Sequence, residues 1–118
     1  MNILTPSFEI WHQEPGLLGM YKQIERAGRV CYKSENNATD DSAQPFVERM
    51  MKSKHTAMLE HGTVYLKGEG LEKYKANKFS HYKHVDGTDY VTTNLRVLEE
   101  NGWMDDLQLF CEPTAHHD

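Results

Sequence analysis

The dipeptide Asp86-Gly87 is the strongest constraint on the fold, because it stands between two runs that resemble β-strands. These runs cover residues 81–85 and 90–92. Asp-Gly favours the tight two-residue turns that join neighbouring antiparallel strands, so the pattern predicts a β-hairpin. The apolar run at residues 63–66 predicts another strand. We therefore expect a small, mainly antiparallel sheet.

Apolar residues recur at helical spacing after the Pro15-Gly16 break, which predicts a long helix. The stripe consists of Leu17, Met20, Tyr21, Ile24, Ala27 and Cys31. A single stripe of this kind normally faces a core. Gly19 and Gly28 each cost such a helix about 1 kcal/mol relative to alanine. Two glycines in one helix therefore indicate close backbone contacts, or fraying at its end.

Two further helices are predicted. The first covers residues 43–53, begins after a cap at Asp41 or Ser42, and has an apolar face made of Phe46, Val47, Met50 and Met51. The second covers residues 94–101 and is capped by Thr93. Strands and helices do not alternate regularly along the chain. The sequence therefore predicts an α+β fold with helices packed on one side of the sheet, rather than a parallel α/β sheet.

Three regions have weaker patterns. Residues 2–4 and 8–11 are apolar enough for short strands. Residues 67–79 begin with a turn-like Lys-Gly-Glu-Gly and then become mixed, so no element is assigned to the rest of that stretch. The polar end, residues 112–118, is predicted to be loose, with His116-His117 in a solvated tail.

Composition limits the class of protein. A chain of 118 residues matches one domain, so residues 1–118 are expected to form a single one with a modest core. A formal net charge of -5 argues against nucleic-acid partners, which require a basic face. No apolar run approaches the roughly 18 residues of a membrane span, and no secretory signal is visible, so we expect a cytoplasmic protein. Cys31 and Cys111 have no pairing pattern and are expected to be reduced thiols.

Titratable residues are concentrated in the segment His55-Thr-Ala-Met-Leu-Glu60-His61, between a predicted helix and a predicted strand. Loops and element ends carry much of the chemistry of proteins, so this segment is the candidate ligand site. A purely structural alternative stays open. In that case His55 belongs to a helix C-terminus, which suits cations, Thr56 caps a short turn, and Glu60 is solvated.

A metal site is the weaker interpretation of the same histidines. His55, Glu60 and His61 match neither the His-Glu-x-x-His arrangement nor a Cys-x-x-Cys site. His81 and His84 would lie on opposite faces of one strand, because strand side chains alternate. We therefore assign no metal ligands.

Cys31 is the candidate nucleophile. The cations of Arg29 and Lys33 stand beside it in sequence, and nearby cations lower the pKa of a thiol. However, Cys31 also continues the apolar stripe, where a cysteine is usually a small, inert hydrophobic residue. No catalytic residue is assigned on these grounds.

Three segments, taken in order, resemble the flavin-dependent thymidylate synthases. That family carries a helix ending in Arg-Ala-x-Arg-Val-(Cys/Ser)-(Tyr/Phe), which here is Arg26-Ala-Gly-Arg-Val-Cys-Tyr32. It then carries His-x-(Ser/Thr)-x-x-Glu-His before a strand, which here is the segment at residues 55–61. Tyr90-Val-Thr-Thr-Asn-Leu-Arg96 is similar to the family's Asn-x-Arg segment, which begins a helix. The resemblance implies a partial form of that family's fold.

The resemblance also implies that this region holds the flavin cofactor, FAD. His55 would orient the flavin ring and the bound nucleotide, Glu60 would contact the cofactor, and Cys31 would lie near it. Ala57 stands where the family usually has a Ser or Thr that hydrogen-bonds the cofactor, so only its backbone N–H could make that contact. The implied reaction is the reductive methylation of dUMP to dTMP. Methylenetetrahydrofolate supplies the carbon, and NADPH-reduced flavin supplies the hydride.

One departure from the family is large. The family's Arg-His-Arg motif, whose guanidinium groups would bind phosphate and polarise the pyrimidine, does not occur in this chain. Its arginines are all separate from one another: Arg26, Arg29, Arg49 and Arg96. We therefore expect an N-terminal portion that ends before the nucleotide-binding half and is inactive alone.

Two alternatives stay open beside this interpretation. The first is a non-catalytic, truncated paralogue that acts as a binding or self-association module, since the resemblance implies a homo-oligomer with sites shared between subunits. The second is a metal-binding domain that uses His55, His61 and either His81 or His84.

Overall fold

A three-stranded antiparallel sheet forms the centre of the computed structural model, which describes residues 10–31 and 34–117. The strands are β1 (Thr63–Gly68), β2 (His81–Val85) and β3 (Thr88–Asn94), in the spatial order β1-β3-β2. Thr63 pairs with Asn94 at one end of the β1–β3 ladder, and His81 pairs with Thr92 in the β2–β3 ladder. The sheet and its helices confirm the predicted α+β class.

The hairpin between β2 and β3 turns at Asp86 and Gly87, as predicted. Their φ angles are 51° and 80°, both in the left-handed region. Mirror-image two-residue turns require positive φ at both central positions, and these turns match the twist of the strands that they join. The Asp-Gly signal therefore fixes this part of the sheet locally.

Three α-helices and several short 3-10 helices accompany the sheet in residues 10–31 and 34–117. The α-helices are α1 (Gly16–Cys31), α2 (Ala43–Lys52) and α3 (Leu95–Asn101). The 3-10 helices in the described part of the chain are Glu35–Asn37, Thr56–His61, Glu72–Ala76, Met104–Leu109 and Ala115–His117. All three predicted helices are therefore present, and the bounds of α2 and α3 each differ from the prediction by one residue at one end.

The apolar stripe of α1 is buried only in its middle. Met20 and Ile24 are fully buried, whereas Leu17 and Cys31 at the two ends of the helix are exposed. The predicted stripe therefore faces the core in its middle and not at its two ends. The helix packs on α2 and on the Thr56–His61 helix.

One predicted helix cap is at the right position, and the other is wrong. Ser42 occupies the N-cap position of α2, but its hydroxyl donates to the Glu25 carboxylate at 2.5 Å and makes no capping hydrogen bond. Helix α3 is capped by Asn94, whose Oδ1 accepts from the backbone N–H of Val97 at 3.1 Å. The predicted cap, Thr93, is buried one residue earlier in β3. Its hydroxyl shares a hydrogen bond with the Ser80 hydroxyl at 2.9 Å, so Ser42 and Thr93 both bond residues outside the helix that each was predicted to cap.

The core lies between the sheet and the helices. Its fully or almost fully buried members are Met20, Ile24, Val47, Leu59, Val64, Leu66, Leu71, Tyr74, Val91, Leu95 and Leu98. Each buried aliphatic side chain contributes about 1.5–3 kcal/mol. Tyr74 comes from the stretch to which no element was assigned. Its hydroxyl donates to Asp106 at 2.8 Å, and its ring meets Trp103 edge-on at a centroid distance of 4.7 Å.

The segment before α1 is not a strand where it is described. The predicted strand at residues 2–4 and the first two residues of the one at 8–11 lie outside the described residues. Residues 10–11 belong to no strand. Gln13 nevertheless bonds the edge strand β1: its Nε2 donates to the carbonyl of Thr63 at 2.9 Å, and its Oε1 accepts from the N–H of Thr63 at 2.8 Å. One side chain thus satisfies part of an exposed sheet edge.

The end of the chain is ordered around His117, so the prediction of a loose tail is wrong there. His117 is only 6% exposed. Its Nε2 donates to the carbonyl of Leu66 at 3.2 Å, and its Nδ1 accepts from the N–H of Thr114 at 3.2 Å. Its ring also meets the rings of Tyr65 and Tyr90 edge-on. A polar residue is buried here because both of its nitrogens have partners.

Gly28 allows α1 and α2 to approach closely, which confirms the first of the two readings of the helix glycines. A Cβ at this position would lie 2.6 Å from two ring carbons of Phe46. The Arg29 guanidinium lies over the same ring, 4.8 Å from its centroid. The Phe46 ring therefore fills space that a side chain at Gly28 would need.

We expect Gly28→Ala to destabilise the protein. Overpacking costs about 1–3 kcal/mol and is offset only in part by a gain of about 1 kcal/mol in helix propensity. Urea denaturation should show a lower midpoint for Gly28→Ala. In a protein that already carries Phe46→Leu, Gly28→Ala should lower the urea midpoint by less than it does in the unsubstituted protein. The two positions are in contact, so their effects on stability are coupled. A raised midpoint in the single variant would contradict the close contact.

Asp89 joins the hairpin to the turn before the Glu72–Ala76 helix. It is 4% exposed and accepts from His84 Nδ1 at 2.7 Å, from the Tyr82 hydroxyl at 2.8 Å and from the Leu71 N–H at 3.0 Å. The His84 bond, helped by the Leu71 and Tyr82 bonds, lowers the pKa of Asp89 against the opposing effect of burial. The bond to Asp89 in turn raises the pKa of Tyr82 to about 12.

We expect Asp89→Asn to destabilise the protein at neutral pH by about 1–3 kcal/mol, since buried donors lose a charged acceptor. Because the folded-state pKa of Asp89 lies below its unfolded value, its contribution is present above about pH 4 and is lost as pH falls through the folded-state pKa. Urea midpoints measured from pH 7 to pH 2.5 should therefore converge for the two proteins. Asp105→Asn, at an exposed aspartate, is the matched control and should leave the pH dependence unchanged.

Candidate functional site

The predicted ligand segment connects α2 to β1 as a 3-10 helix, Thr56–His61. Leu59 is fully buried and fixes this helix to the core. The titratable residues, His55, Glu60 and His61, are exposed. The segment therefore has one apolar anchor and presents its polar side chains at the surface.

Glu60 is paired with Arg96, which lies in the first turn of α3. Arg96 Nη1 donates to the Glu60 carboxylate, and Arg96 Nε donates to Glu100 at 2.8 Å. The Thr56 hydroxyl also donates to Glu100, at 3.2 Å. Two of the three segments that carry the family resemblance therefore meet here, at residues 55–61 and 90–96.

The charges of this cluster stabilise one another. The hydrogen bonds that Arg96 donates to Glu100 first, and to Glu60 second, raise the pKa of Arg96. The bond from Arg96 lowers the pKa of Glu100. All three side chains are partly exposed, so solvent screens the interactions, and they fix geometry more than they add stability. The cluster holds one guanidinium between two carboxylates and has an excess of acceptors.

An open cavity of about 420 Å³ adjoins the cluster. Its lining includes Glu60, Asn94, Arg96 and Glu100. The ring of Phe79, which is 65% exposed, forms another part of the wall. An exposed phenyl ring beside charged groups suits a planar ring with polar edges, because such sites combine apolar surface with a few polar groups that fix orientation.

The cavity contains one of the four residues predicted to hold the cofactor, Glu60. His55 and Ala57 are exposed on the same segment but do not line this cavity, and Cys31 is exposed at the end of α1. Sequence reasoning missed Phe79 and Glu100. The i,i+4 spacing of Arg96 and Glu100 was a signal for the second, whereas nothing in the sequence marked the first.

Ala57 retains a backbone donor. The first i→i+3 hydrogen bond at the start of the Thr56–His61 helix runs from the N–H of Met58 to the carbonyl of His55. The N–H groups of Thr56 and Ala57 precede it, so the helix itself supplies no acceptor for them. A contact between Ala57 and a ligand would have to use this N–H, because the methyl side chain has no donor.

Two further properties concern the described ranges, 10–31 and 34–117. Within them, no group of three or more His, Cys, Asp or Glu side chains is arranged to hold a metal ion. No helix in the same ranges is long and apolar enough to cross a membrane.

The chain is similar to a flavin-dependent thymidylate synthase from Corynebacterium aurimucosum. The two are 29% identical over 76 residues, which cover 63% of this chain and 30% of the relative. No protein-family profile matches the chain, and no solved structure matches it. The matched part spans less than a third of the relative's length. The similarity supports a distant relationship between this chain and the flavin-dependent thymidylate synthases.

Proposed function

We propose that this chain forms the flavin-binding part of a flavin-dependent thymidylate synthase, which converts dUMP to dTMP with methylenetetrahydrofolate and NADPH. One observation carries the proposal: the Glu60–Arg96 pair joins two segments that resemble the family, beside an open cavity. The distant relationship to a flavin-dependent thymidylate synthase supports the same conclusion.

The cavity fits part of FAD. Its two carboxylates accept hydrogen bonds, the guanidinium donates them, and the Phe79 ring offers a face for stacking. These groups match the mixed donors and acceptors on the edge of a flavin ring. At about 420 Å³ the cavity is near the lower end of ligand pockets and is too small to enclose a whole dinucleotide. The remaining walls would come from outside the described residues.

Each predicted residue has a distinct role in this proposal. Glu60, held in place by Arg96, would accept from the cofactor, and the backbone N–H of Ala57 would donate to it. His55, on the same segment, would orient the ring, and Cys31 would lie near the cofactor. The bound flavin would supply hydride transfer, while these residues bind and orient it.

The proposal assigns no phosphate-binding part of such a site to these 118 residues. They contain no Arg-His-Arg motif. Arg96, the arginine nearest to the proposed site, already donates to two carboxylates, so a phosphate would have to compete with both. The proposal therefore assigns flavin contacts, and no catalytic group, to the chain.

We expect the purified chain to bind FAD weakly, with Glu60→Gln weakening binding about threefold to tenfold, as the loss of one exposed charged acceptor implies. The quenching of FAD fluorescence on titration measures this. Glu69→Gln is the matched control, because Glu69 is exposed and follows the opposite end of β1. Equal affinity in the two variants would contradict the assignment of Glu60, and the absence of FAD binding by the unsubstituted chain would contradict the proposal itself.

We also expect the chain alone to form no dTMP when FAD, dUMP, methylenetetrahydrofolate and NADPH are all supplied. Chromatographic detection of dTMP measures this directly. Robust turnover would show that four separate arginines suffice and would overturn the expectation that the chain is inactive alone.

A self-association module is the second candidate function, and one observation favours it. Leu17, Leu18 and Val30 on α1 are 38%, 52% and 45% exposed, which leaves apolar surface on that helix. Size-exclusion chromatography with light scattering measures the oligomeric state of the purified chain. Combined with the FAD titration, it distinguishes the self-association module from the flavin-binding part. An oligomer that binds no FAD would favour the module, and a monomer would rule it out.

A further inference from the structure

The guanidinium of Arg96 is divided between two carboxylates. Its Nη1 donates to Oε1 of Glu60, and its Nε donates to Oε1 of Glu100 at 2.8 Å. A planar guanidinium can instead form two parallel bonds with a single carboxylate, which occupy both carboxylate oxygens. Here the bond to Glu60 uses Oε1 and leaves Oε2 outside it. The division therefore keeps one Glu60 oxygen available to a ligand.

Glu100 is held beside Arg96 from two sides. The two residues lie four positions apart on α3, where such side chains are neighbours on one face of a helix. From the other side, the hydroxyl of Thr56, which begins the Thr56–His61 helix, donates to the same Glu100 oxygen at 3.2 Å. The bond from Arg96 lowers the pKa of Glu100, so this carboxylate is ionised at neutral pH. Glu100 thus offers Arg96 Nε a charged acceptor in a defined position.

All three charged side chains line the open cavity of about 420 Å³ beside the Phe79 ring. We infer that Glu100 is a positioning residue for this cavity. By holding Arg96 Nε, it limits Arg96 to one bond with Glu60, and Glu60 Oε2 then accepts from an N–H at the edge of the ligand's ring. The inference deepens the proposed function and rests on it for the identity of the ligand, FAD. It gives a role to a residue that lies outside the three segments resembling the family.

The first test is FAD binding by the purified chain, measured by the quenching of FAD fluorescence. Glu100→Gln removes the charge that holds Arg96 Nε, which lets both arms of the guanidinium turn to Glu60. The dissociation constant for FAD should then rise about twofold to fivefold, the range that one partly exposed ion pair implies.

Glu99→Gln is the matched control. It makes the same charge change on the adjacent residue of α3, which lines a separate groove, and it should leave the FAD affinity unchanged. Equal dissociation constants in Glu100→Gln and Glu99→Gln would overturn the role of Glu100.

A double substitution separates positioning from a general effect on fold or charge. Because Glu100 acts through Arg96 on Glu60, Glu100→Gln should have no further effect on FAD affinity in a protein that already carries Glu60→Gln. A general loss of folded structure or of negative charge would weaken FAD binding in both backgrounds. The same fold-change in both backgrounds would therefore show that Glu100 does not act through Glu60.

A second readout needs no ligand. The Nε–H of Arg96 gives its own signal in ¹H–¹⁵N NMR of the purified chain, and the loss of that signal in Arg96→Gln assigns it. In Glu100→Gln this proton should exchange with solvent about threefold or more faster than in the unsubstituted chain, because its acceptor is weakened. Glu99→Gln should leave the exchange rate unchanged.

The two readouts separate this inference from the proposed function. An unchanged exchange rate in Glu100→Gln would overturn the inference even if the chain binds FAD. The absence of FAD binding by the unsubstituted chain would contradict the proposed function, and the exchange rate would still decide whether Glu100 holds Arg96.

Discussion

The antiparallel pairing of β1 with β3 is the constraint on which the candidate site depends. Because Thr63 at the start of β1 pairs with Asn94 at the end of β3, the chain entering one strand lies beside the chain leaving the other. The Leu95 N–H extends this pairing by donating to the Gly62 carbonyl at 3.0 Å. Residues 55–61 and α3 are therefore neighbours, although more than thirty residues separate them. A one-residue change of register would reverse the faces of β1 and move Glu60 away from Arg96.

Local patterns predicted the elements well, because the physics that fixes them is local. The Asp86-Gly87 turn requires positive φ at two adjacent positions, and few residue pairs other than Asp-Gly and Asn-Gly allow this. The middle of α1 followed from the spacing of its apolar residues. Its ends did not, because exposure there depends on how far the neighbouring elements extend. The missing capping bond of Ser42 could not be predicted either, because its hydroxyl is bonded to Glu25 on another helix.

The candidate site could be found in the sequence only in part. The motif at residues 55–61 drew attention to Glu60, but its partner Arg96 becomes adjacent only through the strand pairing. Phe79 lies in a stretch with no periodic pattern, and its position beside the cavity depends on tertiary structure. For His117, the sequence predicted exposure where the structure shows burial. A polar residue near the chain's end resembles a solvated tail in the sequence, yet both of its ring nitrogens have hydrogen-bond partners in the folded structure.

The charge balance of the Glu60–Arg96 cavity follows from how its arginine is bound. In the Glu60–Arg96 cavity, one guanidinium serves two carboxylates, so acceptors remain in excess and favour a ring edge that carries N–H donors. The net charge of the chain is -5 and does not predict which charged groups meet in this cavity. What the cavity can bind is set by the local ratio of carboxylates to cations, because screening by salt confines such interactions to about 8–10 Å.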